Sequence, residues 1–78
     1  MVVAGIALRA RLIRDDTCAK SALEMARLLG MSPNSWKAIE KGSHLPSSET
    51  LLRLVDRGYD PTWILTGRGS MRLHAQDG

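Results

Sequence analysis

The sequence predicts an all-α domain built from five short helices. Three observations carry that expectation. Apolar residues recur at helical spacing in short runs. Each run is bounded by Ser, Asp, Pro or Gly in cap positions. Strand signals are nearly absent, with no Val/Ile/Thr-rich alternation and no Asn-Gly hairpin turn. The 78 residues suffice for one domain, 1–78, and no internal repeat divides them.

The first helix is expected over about residues 3–14. Ile6, Leu8, Leu12 and Ile13 give it apolar faces, and Arg9, Arg11 and Arg14 stay in water. Arg14 falls in the last turn, where a cation suits the helix dipole. Asp15, Asp16 and Thr17 favour a loop.

The second helix starts at Ser21, with Glu24 three residues on in the capping-box arrangement. Leu23, Ala26, Leu28 and Leu29 continue it, and Gly30 ends it. A third helix follows at once, with Ser32 as N-cap and Pro33 in the first turn. It runs to about Lys41 and meets Gly42. Residues 43–46 form a loop. A fourth helix spans about Ser48 to Arg57, capped by Ser47 or Ser48, with Leu51, Leu54 and Val55 as its buried stripe. Asp60 and Pro61 open a short fifth helix through Trp63, Ile64 and Leu65, closed by Gly67. Residues 68–78 form a less ordered tail, expected to fray beyond Leu73.

Composition narrows the function. One cysteine permits no internal disulfide, and Cys18 reads as a thiol in a reducing cytoplasm. The apolar stretch from Met1 to Leu8 is too short to span a bilayer. The net charge is +3, which suits a polyanionic partner without specifying one. Ten of the 11 Lys and Arg residues are spread from Arg9 to Arg68, so a fold, not a charged tail, must present them.

The informative unit is residues 21–42, two short helices about a tight turn. Gly30 tolerates the positive φ such a turn needs. Ala26 is small enough for close helix crossing. Trp36 and Ile39 anchor the third helix from behind. Pro33, Asn34, Lys37, Ala38 and Lys41 are left on its outward face, at spacings of three and four. A DNA major groove admits one helix. There Asn34 can pair with adenine, Lys37 with guanine, and Ala38 can touch a thymine methyl. Pro33, Asn34, Lys37 and Ala38 are therefore the expected base contacts. Lys20, Ser21, Lys41, Ser43 and His44 are the expected phosphate contacts, beside the exposed N–H groups of two helix N-termini. Taken alone, Asn34 and Lys37 would read equally well as a solvated face. Glu40 is expected to hold a loop N–H near Gly42.

The run Ala26-Arg27-Leu28-Leu29-Gly30-Met31-Ser32 resembles the Cro/CI-type (XRE) helix-turn-helix family. Ile39-Glu40-Lys41-Gly42, Pro46 and Glu49-Thr50-Leu51-Leu52 extend the resemblance. Trp63-Ile64-Leu65-Thr66-Gly67-Arg68-Gly69 is similar to a run common among its phage CI-repressor-like members. The resemblance covers about residues 6–72. It implies a five-helix lambda-repressor-like bundle that binds double-stranded operator DNA, usually as a homodimer, with residues 32–41 as the reading helix. Two positions depart from the pattern. Ala22 stands where the family often has a phosphate-supporting Gln, and Trp36 where it usually has Val or Ile.

Trp63 is expected in the core, leaving Ile64 and Leu65 as the exposed residues of a dimer patch. No enzyme is expected. Adjacent Asp15 and Asp16 splay apart, and no phosphate-cradling glycine loop is present. Cys18, His44 and His74 make no convincing metal set, and no cofactor or small-molecule substrate is called for. The competing expectation is a protein-binding module, antitoxin-like or an anti-repressor, that uses the same fold without reading DNA.

Overall fold

A computed structural model describes residues 3–73. Of the expected tail, residues 74–78 lie outside them, and with them the expected fraying beyond Leu73. The described residues form α1 (Val3–Asp16), α2 (Ala22–Leu29), α3 (Pro33–Lys41), α4 (Ser48–Asp56) and α5 (Pro61–Thr66). No strand occurs among them beyond one isolated bridge, Tyr59 to Arg72.

The helix starts follow the cap residues. Ser21 Oγ accepts the Glu24 N–H at 3.1 Å. The Glu24 carboxylate reaches back to the Lys20 N–H at 2.9 Å, one residue earlier than a capping box places it. Ser47 and Asp60 cap α4 and α5 through Thr50 N–H and Thr62 N–H. Each such cap contributes about 1 kcal/mol. Ser32 holds the cap position of α3, but its hydroxyl makes no cap bond. The Ser35 N–H that it would take is donated to Ser32's own carbonyl at 3.1 Å.

Helix α1 extends two residues beyond the expected end. Aspartates at a helix C-terminus oppose its dipole, but Asp16 has partners elsewhere. Its Oδ2 accepts from Tyr59 Oη at 2.7 Å and from Arg72 Nη2. Cys18, in left-handed backbone at φ 66°, then turns the chain.

The core is drawn from every helix. Ile13, Met25, Trp36, Leu54 and Ile64 are its largest fully buried side chains. Ala10 and Ala26, both 0% exposed, supply the close approaches. Helix α2 packs most extensively on α3, and α1 lies against both α3 and α5. Three arginines finish helix ends that would otherwise leave carbonyls unpaired. Arg53 Nη1 and Arg57 Nη2 donate to the carbonyls of Leu29 and Leu28 at 3.0 and 2.7 Å, closing α2. Arg9 Nε donates to the Ile64 carbonyl at 2.9 Å, closing α5.

The α2–α3 turn depends on Gly30, at φ 70° and ψ 34°. Its N–H bonds the Arg27 carbonyl, and the Met31 N–H returns to Ala26 at 2.9 Å. These bonds use two carbonyls of the last turn of α2 and reverse the chain within three residues, so α3 starts at Pro33 beside the end of α2.

Candidate nucleic-acid interface

Two buried residues set the orientation of α3. Trp36 is 0% exposed and Ile39 3%. Both point into the bundle, so the opposite side of the helix faces solvent. Pro33, Asn34, Lys37 and Lys41 are exposed there, and Ala38 is half-buried. The outward row expected from spacing is thus present on one face.

Trp36 is more than an apolar anchor. Its indole Nε1 donates to Glu40 Oε2, which also accepts from Arg14 Nε at 2.8 Å. Glu40 is buried and does not hold a loop N–H as expected. The helix's own carbonyls take those donors: Gly42 N–H bonds Ile39 and Ser43 N–H bonds Ala38. The carboxylate is free to turn inward and meet the two donors left beneath α3.

Asn34 sits where two clefts meet. On one side lie Ser21, Ala22, Leu23, Pro33 and Lys37, between the starts of α2 and α3. On the other lie Ala38, His44 and Leu45, between α3 and the loop that follows it. Neither cleft is lined by a carboxylate. The described residues contain three ion pairs: Arg14–Glu40, Arg53–Glu49 and Arg72–Asp16. Lys20, Lys37 and Lys41 are in none of them, so the cations around α3 keep their charge available.

The expected phosphate contacts divide. Lys20, Lys41 and His44 are exposed. Ser21 is half-buried, with its oxygen capping α2. Ser43 is exposed, but its N–H and its hydroxyl both donate to the Ala38 carbonyl. Its place here is to brace the turn that presents His44.

Sequence reasoning missed Arg11. Its exposed side chain lines a shallow cleft with Ala4, Ala7, Lys41, Gly42 and the edge of Glu40, whose carboxylate is already bonded to Trp36 and Arg14. This brings a second cation to the C-terminal end of α3. Thirty residues separate Arg11 from Lys41 in the chain, so no local pattern could have joined them.

The expected dimer patch needs correction. Ile64 is 0% exposed and belongs to the core, and Trp63 is only partly buried. Ile64 takes the inward position of α5, which packs on α1 and α4. Leu65 keeps partial exposure. A six-residue helix has too few turns for periodicity to settle which of three consecutive apolar residues goes inside.

Two short helices at a glycine turn, with the second presenting a polar, cationic face and held by its back, define a helix-turn-helix unit. A family model described as a helix-turn-helix domain matches residues 19–70, two thirds of the chain. The match contains the α2–α3 unit and continues through α5. The chain belongs to this helix-turn-helix family, of the Cro/CI type, and DNA is the partner that membership implies. No curated protein and no solved structure shows a significant match to the chain. Among the described residues, no helix is long and apolar enough to cross a membrane, and no cluster of ligating side chains could hold a metal ion.

Proposed function

We propose that the chain is a sequence-specific transcriptional regulator, a repressor of the phage or prophage type, that reads operator DNA in the major groove with α3. The observation that carries this is the division of α3 into two faces. Trp36 and Ile39 are buried, while Asn34 stands exposed at the meeting of two clefts without a carboxylate and Lys37 stands exposed along one of them.

In this reading Pro33, Asn34, Lys37 and Ala38 meet base edges. Asn34 suits adenine and Lys37 suits guanine. Lys20, Ser21, Lys41 and His44 meet phosphates on either side and fix the register, with Arg11 added beside Lys41. Two copies bind a near-palindromic site, and Leu65, with the exposed edge of Trp63, contributes to their contact.

Selection of bound duplexes from a random pool tests the proposal, followed by mobility shifts with Asn34→Ala and Lys37→Ala. Loss of specific binding with helix content retained supports it. Unchanged affinity in both variants would overturn it. A chain that shows no salt-dependent DNA binding, yet retains a tight protein partner, is the antitoxin-like or anti-repressor module instead.

A further inference from the structure

The loop between α3 and α4 carries a leucine that the core does not use. Leu45 is 50% exposed, and its neighbour Pro46 is buried. A residue before proline is confined to extended backbone, where successive side chains point to opposite sides. Pro46 is anchored inward, so chain geometry holds Leu45 outward. Leu45 forms one wall of a cleft of about 350 Å³ whose other apolar walls are Ala38 and Ile39. Asn34 stands at the edge of the same cleft. An apolar notch is thus cut into a face that otherwise carries cations and amides. Lys37 and Lys41 lie along the same helix, and neither is in an ion pair among the described residues.

The charge of this face calls for a polyanion, and the notch calls for an apolar group projecting from it. In a DNA major groove the thymine C5 methyl is the one apolar group on the base edges. We propose that Leu45, with Ala38 and Ile39, receives the C5 methyl of one thymine in the bound site, making Leu45 a specificity-determining residue outside the reading helix. This rests on the assignment of α3 as the DNA-reading helix. It adds a contact from the following loop and names its chemical class.

The test uses duplexes recovered by selection from a random pool. Each thymine is replaced in turn by deoxyuridine, which deletes only the methyl. Wild-type protein should lose about fourfold in affinity at one position, the value of one buried methyl-sized group. Leu45→Ala should bind the thymine duplex about fourfold more weakly and no longer distinguish thymine from uracil there. Lys37→Ala should weaken both duplexes equally, because it leaves the notch intact. Two results overturn the proposal while leaving DNA reading in place. In one, the wild type binds tightly and ignores every thymine-to-uracil change; in the other, Leu45→Ala weakens both duplexes by the same factor. If no duplex is enriched at all, the assignment of α3 fails, and the methyl contact fails with it.

Discussion

Trp36 and Glu40, one turn apart on α3, are joined by a hydrogen bond from the indole N–H to the carboxylate, and the same oxygen binds Arg14 of α1. One atom therefore ties the buried back of the exposed helix to the first helix. Removing Glu40 leaves a buried indole donor and a half-buried guanidinium without partners. Glu40→Ala should cost about 2–4 kcal/mol of stability. Arg14→Ala should cost less, because Glu40 keeps Trp36 and Arg14 is the more exposed partner. Trp36→Ala should cost about 3–5 kcal/mol, since it also opens a cavity. Urea titration of the three variants checks the order. A neutral Glu40→Ala would show that the junction is not holding α3.

The turn at Gly30 makes a separate prediction. A Cβ at φ 70° is strained for any L-residue, at about 1–2 kcal/mol. It would also stand 3.1 Å from Arg53 Nη1, which closes α2 through the Leu29 carbonyl. Moving the guanidinium aside gives up that bond. Gly30→Ala should therefore lower the thermal midpoint, and Gly30→Ala with Arg53→Ala should cost less than the sum of the two. Simple additivity in calorimetry would show that the two sites are not coupled.

Tyr59 gives the fold an alkaline limit. Desolvation first, then its hydrogen bond to Asp16, pushes its pKa from 10.0 up to about 12. The folded state holds the phenolic proton more tightly than the unfolded chain does. The associated stability is fully present below pH 10 and is lost as pH rises from about 10 to about 12. The loss should total about 2–3 kcal/mol. Tyr59 is the chain's one tyrosine, so tyrosinate absorbance follows it directly. Tyr59→Phe should remove this component of the decline. An ordinary tyrosine titration in the folded protein would contradict the prediction.

Features that depend on neighbours in the chain were legible from sequence. Ser21, Ser47, Asp60, Gly30 and Gly42 mark helix ends through their own backbone preferences, and the structure places each at an end. The outward row on α3 was legible because nine residues give more than two turns, enough to separate Trp36 and Ile39 from Asn34 and Lys37. Features that depend on distant partners were not. Glu40 finds Arg14 across 26 residues, Arg57 reaches Leu28 across 29, and Arg72 reaches Asp16 across 56. Each is a flexible side chain whose partner is fixed only once the bundle has formed. Ile64 was misplaced for a related reason: the packing of α5 on α1, not its own pattern, decides which residue goes inside.

The division of the cations yields the last prediction. Arg53 and Arg57 spend donors on α2 carbonyls, whereas Lys37, Lys41 and Arg11 stand exposed along or beside α3. Each phosphate contact releases about one counterion, so losing one should reduce the slope of log affinity against log salt by about one. Lys41→Ala and Arg11→Ala should each show that reduction while weakening binding uniformly across sequences. Arg57→Ala should leave the slope unchanged and lower stability, because the Leu28 carbonyl loses its donor. Titrating binding against salt for the three variants separates the two groups. If Lys41→Ala and Arg11→Ala keep the wild-type slope, the C-terminal end of α3 lies away from the phosphates. The protein would then meet DNA through the N-terminal ends of α2 and α3 alone.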